Sequence, residues 1–252
     1  MSSKTLILVT GANQGLGYYA AQQLAATGNH HVLIGSRDVN KAKKAIETLA
    51  ADDSVKVSAS DLTPLEIDVN SDSSIAAAAK HVEQTYGKLD ILLNNAGIAQ
   101  QQEAAADSSG PSLRDIYRSH YETNVFGAAV VTDAFLPLLR KGSAKRLAFT
   151  SSGLASLELA AKPNTLYSAN NYPIYRSTKT ALNMIMLHYA LSLESEGFVV
   201  SAADPGYCAT NLNGNSGFKD PRDGAKELVK SVVGEKKDVH AVMVSDDGVV
   251  PW

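Results

Sequence analysis

Short apolar runs rich in β-branched residues alternate with longer stretches of helical composition along almost the whole chain. That alternation constrains the fold more than any other feature. The strand candidates are 5–10, 31–36, 65–69, 89–94, 146–151, 198–204 and 241–245. Between them lie helix candidates at 15–27, 40–51, 71–86, 112–139, 173–196 and 221–233. In the third of these helices Ile75, Ala78, Ala79 and Val82 recur at helical spacing, and Gly28, Gly87 and Gly197 stand where C-terminal caps belong. Strand, helix and strand in succession return the chain to the sheet in parallel. The expectation is an α/β fold, doubly wound, with a seven-stranded parallel sheet flanked by helices in one domain spanning 1–252. Three stretches, 52–64, 100–111 and 153–172, fit neither pattern and read as loops, of a length that is either functional or disordered.

Composition closes off several classes of function. One cysteine, Cys208, in 252 residues leaves no partner for an intramolecular disulfide and no cysteine-based metal cluster, so a reducing, cytoplasmic home is expected. With 26 acidic and 23 basic residues the net charge is -3, which provides no global basic field for nucleic acid or anionic lipid. Apolar runs such as 6–9 and 91–93 are far shorter than the ~20 residues a membrane-spanning helix needs. The opening MSSKTLILVTG runs straight into glycine-rich sequence and does not read as a secretory signal. The six histidines form no HExxH pair, and no catalytic metal is expected.

The first strand is followed by Thr10-Gly11-Ala12-Asn13-Gln14-Gly15-Leu16-Gly17 and then at once by an amphipathic helix. Such a turn lets backbone approach a pyrophosphate closely and aims free N–H groups and the helix dipole at it. By itself the motif is equally a tight turn. Two further motifs follow, Asn94-Asn95-Ala96-Gly97 after the fourth strand and Tyr175-Arg176-Ser177-Thr178-Lys179. Taken in order, the three resemble the short-chain dehydrogenase/reductase family in its compact, carbonyl-reductase-like branch. The resemblance runs from Thr5 to the strand near Val244 and takes in Asp68, Asn124, Ser151-Ser152 and Pro205-Gly206. It implies a Rossmann-type fold, an NAD(P) cofactor and a small-molecule carbonyl or alcohol substrate.

By that resemblance Gly11, Asn13, Gln14, Gly15, Leu16 and Gly17 form the pyrophosphate turn, Asp68-Val69 meets the adenine, and Asn94, Asn95, Ala96 and Gly97 line the cofactor. Pro205-Gly206 makes a turn that places Thr210 against the carboxamide or phosphates. Ser36 stands where NAD-dependent relatives carry an acid, and the next residue, Arg37, has a planar fork suited to a 2′-phosphate. NADP(H) is therefore the expected cofactor. In the competing reading Arg37 is merely solvated and Asp38 approaches the ribose. Asp68 is equally suited to capping the following helix.

Tyr175 and Lys179 are one helical turn apart behind Pro173, so phenol and ammonium share a face. A neighbouring cation draws a phenol of ordinary pKa about 10 toward working range, which suits a general acid. The family resemblance assigns Tyr175 that role, lets Lys179 also bind the nicotinamide ribose, gives Ser152 the substrate oxygen and gives Asn124 a water in a proton relay. Ser151 and Ser152 would point to opposite faces of a strand, and the Ser-Ser-x-x-Gly pattern selects Ser152, although Ala155 replaces the usual glycine.

The insertion before Tyr175, with Pro163, Tyr167, Asn170, Asn171 and Tyr172, forms either a pocket wall or simple cover over the sheet. Leu182, Met186, Tyr189 and Leu193 read as core or subunit interface, and His188 is read likewise. A homo-oligomer is possible through this helix. The segment 211–219, with Gly214 and Gly217, suits a short flexible lid over an open pocket. These readings favour an NADPH-dependent reductase of ketones or aldehydes. A non-catalytic dinucleotide sensor is the alternative, and an extended-branch epimerase or dehydratase is disfavoured by chain length and glycine spacing.

Overall fold

A computed structural model describes residues 4–99, 110–169 and 171–252. The expected loop at 100–111 therefore lies almost wholly outside the described residues, as does Asn170. Strands β1 (Thr5–Val9), β2 (His30–Ser36), β3 (Leu62–Glu66), β4 (Ile91–Asn94), β5 (Arg146–Thr150), β6 (Val199–Ala203), β7 (Met243–Ser245) and β8 (Gly248–Val250) form one sheet in the order β3-β2-β1-β4-β5-β6-β7-β8. The first seven are parallel, as expected from the alternation. The eighth was not anticipated: it pairs antiparallel with β7, Met243 opposite Val250, through the Asp246-Asp247 turn. A three-residue strand followed by Pro251 carries too little periodicity to stand out.

Helices α1 (Gly15–Ala26), α2 (Val39–Ala50) and α8 (Pro221–Val233) cover one face. Helices α3 (Asp72–Tyr86), α5 (Gly127–Lys141) and α7 (Pro173–Ser192) cover the other. Strand β1 shows why its run is continuously apolar: Ile7 and Val9 pack with Ala20, Leu24 and Leu228, whereas Leu6 and Leu8 pack with Phe135 and Met186. Leu182, Met186, Tyr189 and Leu193 belong to this second core, but His188 is exposed and the core reading does not extend to it.

Two local departures have clear causes. β3 starts three residues earlier than expected and includes Pro64 opposite Ile34. Proline there loses no ladder bond that matters because β3 is an edge strand. The single helix expected at 112–139 is α4 (Leu113–Tyr121), then a π-helical turn, Glu122–Phe126, then α5. α4 opens with a reciprocal cap in which Ser112 accepts from the Asp115 amide while the Asp115 carboxylate accepts from Ser112. The predicted loop 153–172 contains a 3-10 turn, Gly153–Ala155, and α6 (Leu157–Ala160). α9 (Lys236–Val239) precedes β7. Among the described residues no helix is long and apolar enough to cross a membrane, and no group of three or more His, Cys, Asp or Glu could hold a metal.

Candidate active site

All the motifs singled out in the sequence arrive at the carboxyl ends of the parallel strands, where open α/β sheets bind ligands. The turn between β1 and α1 is built around missing side chains. Gly11 and Gly15 have φ of 63° and 61°, a left-handed conformation that suits glycine. A Cβ on Gly11 would lie 3.0 Å from the Ala96 Cα, and one on Gly17 would lie 2.5 Å from the Asn95 amide nitrogen and 2.9 Å from the Gly11 carbonyl. Gln14 occupies the N-cap of α1 without capping it through its side chain, and the first turn carries no acid. The leading amides of α1 are thus left for a ligand of negative charge, which fits a dinucleotide pyrophosphate.

Thr10, passed over as a site residue in the sequence, ties this turn to the end of β4. Its hydroxyl accepts from the amides of Asn95 at 2.9 Å and Ala96 at 3.0 Å. The Asn95 side chain donates to the Thr10 carbonyl at 2.9 Å and accepts from the Thr150 hydroxyl at 3.2 Å, so one amide joins the ends of β1, β4 and β5. Asn94 is buried and donates to Thr132 at 2.9 Å. Beside the turn, Asn13, Gln14, Tyr18, Tyr19, Lys41 and Lys44 line a cavity of about 420 Å³, which brings in two lysines the sequence did not single out.

At the end of β2, Ser36 is buried and accepts from the Asp38 amide at 3.2 Å, whereas Arg37 is exposed and has no partner among the described residues. Asp38 is engaged as the N-cap of α2, accepting from Asn40 at 2.9 Å and Lys41 at 3.4 Å. At the end of β3, Asp68 accepts from the Asn70 amide at 3.0 Å, but the cap of α3 is Ser71, so the capping alternative for Asp68 is corrected. Asn70 donates to Thr123 at 3.1 Å, and a Cβ on Gly127 would lie 2.6 Å from the Val69 carbonyl. This loop therefore rests directly on the π-helical turn.

The π-helical turn presents Asn124, whose side chain does not simply face open solvent. It accepts from the Ile98 amide at 2.8 Å, donates to the Ile98 carbonyl at 2.9 Å and donates to Thr178 at 3.0 Å. Gly97 completes the junction: a Cβ there would sit 3.2 Å from the Asn124 oxygen and 3.6 Å from the Lys179 nitrogen.

Lys179 is 3% exposed and donates to the Thr150 carbonyl at 2.7 Å. Burial pulls its ammonium down to about 8. The ammonium lies 5.7 Å from the centre of the Tyr175 ring. The Ser152 hydroxyl lies close enough to the Tyr175 phenol to draw it down, while Ser151 turns into the core and donates to Asn183 at 2.6 Å. The two serines thus diverge as strand alternation predicts.

One acid near this group escaped the sequence reading. Asp204, at the end of β6, is 6% exposed, accepts from the Gly206 amide at 3.0 Å and sets its other carboxylate oxygen beside Gly153. Burial, and after it the Asp204 charge, push the Tyr175 phenol well above its ordinary value while Ser152 draws it down, so the lowering expected from the Lys179 cation is corrected: burial outweighs it. Asp204 carries no signal in the sequence beyond preceding a Pro-Gly turn. Gly206 has φ of 76°, and beyond it Thr210 is buried against Gly15, 3.9 Å from where a Cβ would stand. Lid segment 211–219 is pinned at both ends by hydrogen bonds between Ala209 and Lys219 and between Lys219 and Tyr207, at 3.0 and 3.1 Å.

Comparison with known proteins agrees with this geometry. Residues 5–220 match the family model described as short chain dehydrogenase. A relative from Penicillium roqueforti (strain FM164), short-chain dehydrogenase anuI, is 44% identical over 98% of this chain and 96% of its own. Short-chain dehydrogenase/reductase tropE of Talaromyces stipitatus is 33% identical over 100% of this chain and 99% of its own. Among solved structures, the NADPH-bound carbonyl reductase from chicken fatty liver superposes with a TM-score of 0.80 at 25% identity, covering 99% of this chain and 94% of that one. Salutaridine reductase from Papaver somniferum, at 20% identity, shares the fold with a TM-score of 0.79 over 95% of this chain and 99% of its own. The chain is an oxidoreductase that belongs to the short-chain dehydrogenase/reductase family.

Proposed function

We propose that the protein is an NADPH-dependent reductase of ketones or aldehydes, working as a single dinucleotide-binding domain in the cytoplasm. The observation that carries the reading is the meeting of Ser152, Tyr175 and buried Lys179 at one end of the sheet, beside a turn stripped of side chains. The bound reduced dinucleotide supplies the hydride. The chain supplies the rest. Ser152 holds the substrate oxygen, Tyr175 donates the proton to it, and Lys179 in its charged form favours the phenolate that remains.

Asp204 acts in the opposite sense and keeps the proton on Tyr175 until the oxygen needs it, which suits reduction more than alcohol oxidation. Asn124 fixes the Ile98 peptide and Thr178, and so sets the floor on which Gly97 and Lys179 meet. Preference for NADPH is supported by an unpartnered Arg37, an engaged Asp38 and the lysines Lys41 and Lys44 beside the turn. The NADPH-bound carbonyl reductase among the structural neighbours points the same way.

The test is a carbonyl panel offered with NADPH and with NADH to the parent and to Tyr175→Phe. The expected result is turnover with NADPH that falls by roughly 10²–10⁴-fold in the variant while dinucleotide binding persists. Dinucleotide binding without turnover in the parent would instead identify a sensor.

A further inference from the structure

Arg176 follows the tyrosine directly, yet its side chain turns away from it. Arg176 is 6% exposed, and among the described residues no carboxylate pairs with its guanidinium. Its partners are four backbone carbonyls of the insertion: Asn171 at 2.7 Å, Tyr167 at 2.8 Å, Ser168 at 2.9 Å and Leu154 at 3.4 Å. A buried cation is costly unless its donors are satisfied, and the rigid fork of arginine meets this demand with carbonyl dipoles alone. The segment gains in return. Residues 161–166 are exposed and contribute nothing to either core, so apolar burial does not order them. They are held by local bonds, as between Thr165 and Ser168, and by the anchoring of the residues that follow them, Tyr167, Ser168 and Asn171, on Arg176. Tyr172, immediately after the Asn171 carbonyl, adopts φ of 56°, a left-handed conformation that a bulky residue keeps only when its surroundings impose it.

What this arrangement places is the Tyr167 ring. A Cβ on Gly153 would lie 2.7 Å from the Tyr167 ring edge and 2.7 Å from the Asp204 carboxylate. The half-buried ring thus lies one residue from Ser152. The segment after Gly206 exposes Tyr207, Leu212 and Phe218, with the Tyr207 and Phe218 rings 5.8 Å apart. The ring beside Ser152 and the segment that follows β6 are thus both aromatic.

We propose that Arg176 is a positioning residue that sets substrate selection: it folds the insertion so that Tyr167 walls the carbonyl pocket, which takes bulky, ring-bearing apolar ketones in preference to compact carbonyl compounds. The proposal rests on the reductase reading above. Its test separates the two.

In Arg176→Met, amide exchange across 154–169 should rise by roughly tenfold or more as the charged hydrogen bonds are lost. KM for an aryl ketone should rise by roughly tenfold, whereas kcat falls less than about threefold and dinucleotide affinity is retained. Arg176→Lys should restore these values only in part, because an ammonium cannot serve four diverging carbonyls. Unchanged exchange in 154–169, full rescue by lysine, or parallel loss of kcat and KM for small and large carbonyls would overturn the proposal. Should the methionine variant fail to fold, Tyr167→Ala decides. A KM increase confined to ring-bearing ketones supports the wall, and equal KM changes for acetaldehyde and an aryl ketone reject it. A parent that reduces no carbonyl at all sinks the reductase reading, while the exchange data still settle the clamp.

Discussion

The two sides of the strand ends are assembled from different materials. Between β1 and β4 the contacts are backbone against backbone, with Gly11 against Ala96, Gly17 against Gly11 and the hydroxyl of Thr10 spanning two amides. Beyond β5 and β6 the spans are charged side chains: Arg176 reaches four loop carbonyls, Asp204 reaches the Gly206 amide, and Lys219 pairs with Asp246 of the β7–β8 turn at 2.5 Å. The first side has no volume to spare and is fit to hold one ligand shape. The second can be re-cut by exchanging a loop while its side-chain anchors stay, which suits a region that must distinguish substrates.

A pair of glycines puts the contrast to the sharpest test. Gly17→Ala forces a methyl group into the Asn95 staple and the Gly11 carbonyl, so a loss of about 1–3 kcal/mol is expected together with loss of binding for both NADPH and NADH. Gly214→Ala on the lid meets nothing within 4 Å and suffers only from its φ of 63°, at a cost of about 1 kcal/mol. Thermal melts and nicotinamide fluorescence measure both, and equal effects would erase the distinction between the sides.

Next in size is Arg37→Ala. It should lower kcat/KM with NADPH by roughly tenfold, the worth of one charge-assisted contact, and leave NADH within about threefold. Equal losses with the two cofactors would remove Arg37 from the phosphate site.

The smallest effect is in the pH profile and belongs to the second side. Reduction should weaken as pH rises through about 8, where Lys179 loses the charge that favours phenolate. In the reverse direction, alcohol oxidation needs Tyr175 as a base. Asp204 raises the phenol, so Asp204→Asn should move the rising limb of oxidation to lower pH. A limb that stays in place would mean that Asp204 serves only the loops.

This division also explains what the sequence disclosed. The glycine turn, Asn94-Asn95-Ala96-Gly97 and the Tyr175–Lys179 spacing each gather their residue types within a turn or two of chain, so a local signature survives although the glycines pack against the distant Asn95 and Ala96. The seven parallel strands were legible for the same reason, since each is an apolar run buried on both faces. Pro64 misled because its tolerance depends on β3 lying at an edge, a property of the whole sheet. Arg176 was visible only as a letter inside a motif, because its partners, 5 to 22 residues away, are carbonyls that every residue possesses. Asp204 was hidden likewise: Gly153, against which its carboxylate stands, belongs to another strand end.

The π-helical turn at Glu122–Phe126 joins these matters in a single thread. It is one wide coil in a screw that runs from Leu113 to Lys141, and it turns Asn124 toward the Ile98 peptide while Val131 and Phe135 farther along still face the sheet. Removing a single residue there would close the wide coil into even winding, leave Val131 and Phe135 facing the sheet, and carry Asn124 out of line with the Ile98 peptide. The extra residue thus serves the pocket alone, and drift in chain length at this point would be felt in the site while the hydrophobic interior kept its alignment.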